Sequence, residues 1–443
     1  MKSINTKYDV LILGAGVAGI SAAIHAVRRG LKPLVIESTA NVGGRARSFR
    51  DRVSGDIIDN GQHVMMGCYA TFFDLVNTLG TMGKIKKQAV LTIPFHFPDG
   101  SSDLLHAKGI GNMNGPLGMA FGLLKLSFLG GKDKRNLLLF ALRVKLGLCK
   151  PGSMTAMELL LSESQSESVI DKVWIPVILA TMNGKPEEVS AKIFITVLKR
   201  AFFGPGDSSS LYIPQCGLSE LFEPFASWIE YHGGSLIQSN GIRYIDIEHD
   251  GARGVRLMDE TFIECRHVIS AIPPHALLHI LPESVKCLNY FSSLDSIRYS
   301  PIISLYLWFD KAFPRIDLAA IMESSTQWIF RKSTIMKNGQ SLLALTISAG
   351  DDIVNMPTED IAQACTKEVR ECFPEMFDAQ LMHWKVIKER MATVLIDPET
   401  EENRPDQLTP VTGLYLAGDW TNTGLPATLE AAAYSGRIAA SLI

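Results

Sequence analysis

Four groups of residues in this chain have the types and spacing to do chemistry on a nucleotide. The first is Gly14-Ala15-Gly16-Val17-Ala18-Gly19, followed by Glu37. Gly14 permits a tight turn, Gly16 lets a pyrophosphate approach bare backbone, and Gly19 allows a helix to pack closely on a strand. A helix beginning there offers free N–H groups and the positive end of its dipole to phosphate. Glu37 lies close to the roughly 20-residue offset of a carboxylate that grips ribose hydroxyls. The second group, Gly43-Gly44-Arg45-Ala46-Arg47, brings a cation and bare backbone just beyond that acid. It reads as a second clamp on the same ligand, or as a plain glycine turn with a solvated arginine. The third, Asp59-Asn60-Gly61-Gln62-His63, sets polar, turn-forming residues between apolar flanks. It reads equally as a ring-binding loop and as a β-turn in which His63 is simply buried. The fourth is Gly418-Asp419 with Thr428 and Leu429, where a strand delivers an acid and a helix N-terminus faces the same way. Asp419 would accept from sugar hydroxyls, and the N–H groups near Thr428 and Leu429 would stabilise negative charge on a ring.

These residues need a particular frame. Tyr8 to Leu13 is an apolar run typical of a buried strand, a helical pattern continues through Arg28, and Pro33 to Ile36 forms a second strand ending on Glu37. That is a βαβ unit of Rossmann type. From about 90 to 205 the strand–helix alternation stops. Apolar helical stretches flank Gly130 to Arg135, and a further helix runs from Trp174 to Arg200, broken near Pro186. A helix from about Leu218 to His232 follows, with strands at 236–247, 252–257 and 261–272. Strands at 301–309 and 341–349 and a helix from Glu359 to Phe373 mark another unit. Residues 413–443 return to the first style. The pattern gives a dinucleotide-binding domain from 1–90, 206–274 and 386–443, and a substrate domain from 91–205 and 275–385.

Length and composition agree with this division. At 443 residues the chain exceeds one ordinary core. A net charge of −3 gives no reason to expect nucleic acid as a partner. Seven scattered cysteines make no metal-binding or disulfide pattern and fit a reducing cytoplasm. A mean hydropathy of +0.14 is apolar for a soluble enzyme. No uninterrupted apolar run reaches the ~18 residues a membrane span needs. Residues 113–150, apolar with cationic flanks, read as a peripheral contact with the inner face of an anionic membrane or a shield over a lipid tunnel, and equally as a core helix hairpin.

Taken together, GAGVAG with Glu37, GGRARS, DNGQH and AGDWTNTGLPATLEAAAYSG resemble the flavin-dependent amine oxidase and phytoene desaturase superfamily over nearly the whole chain. Within it, the DNGQH loop and the GDWT…GLPAT ending are similar to the hydroxysqualene dehydroxylases. The resemblance implies an α/β fold: a Rossmann-like FAD-binding domain of amine-oxidase type, a discontinuous α+β substrate domain and a helical apolar segment. It implies noncovalent FAD, with Gly14, Gly16, Ala18 and Gly19 at the pyrophosphate and Glu37 at the adenosine ribose. Gly44, Arg45 and Ala46 would lie between phosphate and flavin, and Ile242 by adenine. Asp419 would hold the ribityl–phosphate end, Thr428 and Leu429 would face a flavin carbonyl, and Gly61, Gln62 and His63 would lie near the ring. No cysteine follows Cys372 to form a thioether with flavin. The implied reaction removes an allylic hydroxyl from a C30 isoprenoid alcohol, in a dry apolar pocket, with an electron donor that the sequence does not identify. His63 is the candidate proton donor, provided its surroundings raise its pKa. A carotenoid-type desaturase and a non-catalytic prenyl-lipid binder of the same fold are the rival readings.

Overall fold

A computed structural model describes residues 3–4, 8–107, 116–249, 251–332 and 341–443. Met113 to Gly115, part of the stretch read as a membrane contact, lie outside the described residues.

The apolar runs at the start and end of the chain, with one from the middle, build a five-stranded sheet. Its order is Ser235–Ile237, Pro33–Ile36, Val10–Leu13, Val268–Ser270, Leu414–Leu416, with every neighbouring pair parallel. Numbered along the chain this is the order 3-2-1-4-5 of a Rossmann unit. Val10 to Leu13 are buried to the last residue, as a strand covered on both faces requires. The Val17–Arg28 helix covers one face and crosses the Leu429–Ser441 helix closely. A Cβ on Gly436 would stand 2.1 Å from the Ala18 carbonyl oxygen, so glycine is needed at that crossing. Chain segments more than 200 residues apart therefore share one core.

The second unit is a seven-stranded sheet in the order Leu381–Val394, Tyr299–Phe309, Ser341–Ser348, Trp328–Arg331, Leu318–Ile321, Thr92–His96, Ser102–His106. The Tyr299–Phe309 strand, paired on both sides, alternates strictly. Ile303, Leu305 and Leu307 pack under the Thr358–Cys372 helix through Ile361, Cys365 and Val369. Tyr306 and Trp308 point the other way, toward Ile58, Leu91 and Leu211 beside the Asp59–His63 loop. The period of two thus aims one face of this sheet at the first unit.

Several elements differ from the sequence reading. Residues 92–106 form a hairpin at the edge of the second sheet, although the alternation was expected to stop near 90. The helix expected over 218–232 is split into Leu218–Leu221 and Phe225–Tyr231 by Pro224, whose ring and missing N–H interrupt a helix. The run 236–247 turns at Ser239 and serves two sheets. The long helix from Trp174 breaks at Asn183 rather than Pro186. Asn183 adopts φ +48 and ties the helical part to the second sheet, donating to Ser300 O and Thr393 Oγ1 and accepting from Ala349 N. Leu381–Val394 was not anticipated as a strand, and the expected division at 385/386 falls inside it. Its lysines, arginine and glutamate suit a sheet edge, where charge discourages further pairing.

Candidate active site

The two glycine motifs are in contact. Gly14 takes φ +96, and a Cβ on Gly19 would lie 1.9 Å from the Gly14 carbonyl oxygen. The Val17–Arg28 helix starts at Gly16 without a side-chain cap, so its first N–H groups remain open to an anion. Gly43 donates its N–H to Ala15 O at 2.8 Å, and a Cβ on Gly44 would sit 3.2 Å from Gly16 Cα. Two stretches of bare backbone thus form a single cradle, with Ala18 and Ala46 buried behind it.

Glu37 is buried at the end of its strand. Its Oε2 accepts from Ala15 N at 2.8 Å and its Oε1 from the N–H and hydroxyl of Thr39, each at 2.9 Å. The carboxylate therefore buttresses the glycine turn, and Oε2 retains a lone pair for a further donor. The turn at Ile237 to Asn240 runs alongside, with Asn240 N bonded to Glu37 O, and Ile242 opens the next strand.

Arg45 and Asp419, more than 370 residues apart, form an ion pair of 2.5 Å. The same guanidinium donates to Ala392 O at 2.7 Å, and Asp419 raises the arginine's pKa. The Gly418–Asp419 turn has a support that sequence reasoning missed. Arg404, 5% exposed, donates to Leu425 O and Asp419 O, both at 2.8 Å, while its Nε has no partner among the described residues. Burial lowers its pKa to about 10, leaving it cationic at neutral pH. Thr428 caps the following helix by accepting from Ala431 N. Leu429 is the first helical residue, and the buried Glu430 after it accepts from Thr71 N and Phe72 N, capping the Ala70–Thr78 helix.

The DNGQH loop is held by the second sheet. Tyr306 is fully buried, and its hydroxyl lies 2.9 Å from both Asp59 N and Asp59 O and 2.5 Å from Gln62 Nε2. Asp59 accepts in turn from Ser48 Oγ, Leu218 N and Lys332 Nζ at 2.7, 2.9 and 3.0 Å. Gly61 lies against Ser304, the next residue on that sheet face. A shallow cleft opens beside the loop, lined by Asp59, Gln62, His63, Phe330 and Lys332. Its lining is mixed, with Phe330, Leu218 and Ile213 beside Asp59, Arg331 and Lys332.

His63 does not meet the condition set for a proton donor. Its Nδ1 lies 3.0 Å from Gly61 O, and burial lowers its pKa, helped by the charges of Arg45 and Lys332. The neutral imidazole is favoured, so the loop positions rather than protonates. Three other residues gather near Arg45 and had no motif to announce them. Glu389 accepts from Asn60 Nδ2 at 3.0 Å and adds its charge to the Arg45 environment. His275 stands edge-on to Tyr299 with ring centroids 6.3 Å apart. The Tyr299 hydroxyl is buried without a partner among the described residues, and burial pushes its pKa to about 12. It is a protonated donor with an unused hydrogen bond.

The cradle fits a dinucleotide with two phosphates: uncapped helix N–H groups, glycines at closest approach and a ribose-side carboxylate coincide. A family model described as flavin containing amine oxidoreductase matches residues 17–443. The chain is 28% identical to hydroxysqualene dehydroxylase from Rhodopseudomonas palustris, over 98% of both chains. It is 26% identical to 15-cis-phytoene desaturase from Synechococcus elongatus, over 98% of this chain and 95% of the relative. An oxidoreductase crystal structure from Methanosarcina mazei superposes with a TM-score of 0.76 at 17% identity, covering 98% of this chain and 100% of that one, and so shares the fold. Cradle, topology and family match converge: the chain belongs to the flavin containing amine oxidoreductase family and is an FAD-dependent oxidoreductase of the phytoene desaturase and hydroxysqualene dehydroxylase group.

Proposed function

We propose that the reaction is reductive removal of the allylic hydroxyl of hydroxysqualene, or a close C30 isoprenoid alcohol, to give squalene. The observation that carries this reading is the buried, unpartnered hydroxyl of Tyr299 near Arg45. Hydride abstraction from a hydrocarbon needs no such donor, whereas departure of hydroxide from carbon does.

Gly14, Gly16 and Gly19 would hold the pyrophosphate of noncovalent FAD, Glu37 a ribose, and Asp419 the ribityl side. Bound and reduced, FAD supplies the hydride equivalent, so one alcohol, one hydride and one proton yield one hydrocarbon and one water. Tyr299 donates a hydrogen bond to the leaving oxygen. The positive charge of Arg45, neutralised in part by Asp419, favours the tyrosinate left when the Tyr299 proton passes to the leaving oxygen. Gln62 and His63, clamped through Tyr306, fix the wall beside the ring.

The test is anaerobic: the photoreduced holoenzyme is mixed with hydroxysqualene, and squalene is quantified by mass spectrometry. Squalene formed in proportion to flavin supports the reading, with Tyr299→Phe slowed by about a hundredfold at unchanged flavin content. The second reading, a desaturase, has the similarity to phytoene desaturase behind it. Inertness toward the alcohol, with double bonds introduced into phytoene by the oxidised enzyme, would establish it instead.

A further inference from the structure

The helix Gly131–Lys145 is apolar on two opposite sides. Leu137, Phe140 and Val144 are at most 1% exposed and face the core. Leu139, Leu142 and Leu146, spaced three and four apart and therefore on one stripe, are 52%, 50% and 61% exposed. Leu148 beyond the helix is 52% exposed, and the preceding Pro116–Lys125 helix leaves Phe121 and Leu124 at 44% and 43%. Single exposed leucines are ordinary, but a second apolar stripe on a helix already packed on its first is not.

Charge around the stripe is one-sided. Lys125, Lys132, Arg135, Lys145 and Lys150 are exposed, and Asp133 is the sole acid between residues 116 and 150 of a chain whose net charge is −3. Asp133 accepts from Ser166 Oγ and forms no ion pair with a lysine among the described residues. Among the described residues, Arg143 alone of the cations between 116 and 150 pairs with an acid, Glu163. Two copies of this face would repel one another, and lysine is depleted from protein interfaces. Leucines level with a basic border are instead what an interfacial helix presents to anionic lipid. Among the described residues no helix is long and apolar enough to cross a membrane, so contact would be lateral and shallow.

We propose that the Pro116–Lys125 and Gly131–Lys145 helices form a peripheral docking surface for an anionic lipid bilayer, with Leu139, Leu142 and Leu146 inserted and the surrounding cations at the headgroups. This holds whichever isoprenoid the enzyme turns over. The test is co-sedimentation of the holoenzyme with vesicles of phosphatidylcholine alone or with about a third phosphatidylglycerol. Binding should require the anionic lipid and fall at least tenfold at about 0.5 M salt, where the Debye length is a few ångströms. Leu142→Glu with Leu146→Glu should lower partitioning at least tenfold while melting temperature and flavin absorbance stay unchanged; both leucines are solvent-exposed, so folding is spared. Lys132→Glu with Lys145→Glu should lower it through charge alone. Equal binding by the leucine variant, no binding by the wild-type enzyme to anionic vesicles, or a solution dimer that the leucine variant dissolves would each overturn the proposal.

Discussion

The glycine cradle and the Asp59–His63 loop are held by opposite means. In the cradle the backbone does the holding: Gly43 bonds to Ala15, Glu37 bonds back to Ala15, and glycine is required where any Cβ would collide. Around the loop, side chains reach across from another sheet: Tyr306 bonds to Asp59 and Gln62, and Lys332 to Asp59. A cofactor that recurs across a family is met by local backbone geometry, which few sequences can supply. The Asp59–His63 loop is held by long-range side-chain contacts, which can be exchanged without disturbing the cradle.

Four perturbations would break or sharpen this contrast, in descending order of effect. Gly19→Ala puts a methyl 1.9 Å from the Gly14 oxygen and should leave the purified protein with less than about a tenth of its flavin, read from visible absorbance. Normal flavin content would show that the backbone cradle is not the cofactor's main support. Asp59→Asn removes the partner of Lys332, whose side chain is only 18% exposed, and should cost about 3 kcal/mol, seen as a melting temperature several degrees lower. Tyr306→Phe strands Asp59 N and Gln62 Nε2 at about 1–3 kcal/mol and should slow turnover roughly tenfold with flavin binding intact. Loss of flavin in that variant would erase the distinction between the two regions.

The smallest effect is a pH dependence within the cradle. Burial, and then the charge of Arg28, lower His25 on the Val17–Arg28 helix from 6.5 to about 4. Because the unfolded chain binds the proton more readily, this neutral histidine contributes its stability in full above about pH 6.5 and loses it as pH falls toward 4. Melting temperature should decline across that window, and His25→Gln should flatten the decline. An unchanged slope would move the acid sensitivity elsewhere.

The sequence could be read where function rests on backbone. GAGVAG, the strand ending on Glu37, GGRARS and the GDW turn each carry their geometry in glycine spacing and local periodicity, so neighbouring residues suffice to disclose them. The parallel sheet followed from those same apolar runs. Tyr299, Tyr306, Glu389 and Arg404 could not be read in that way. Each acts on a partner far along the chain, and no local pattern distinguishes a tyrosine that points at the loop from its neighbours that point under a helix. The Leu381–Val394 strand was missed because edge charges mask a strand's alternation.

The chain's own order of residues thus determined a dinucleotide fold, its cradle and the family to which it belongs, because hydrogen-bonding backbone and steric limits at glycine act over a few residues. Only the tertiary structure decided that Arg45 pairs with Asp419, that burial holds His63 neutral, and that the helix Gly131–Lys145 keeps a second leucine stripe in solvent. Desolvation, ion pairing and exposure depend on what the remainder of the chain places nearby, and that is settled only when distant segments pack.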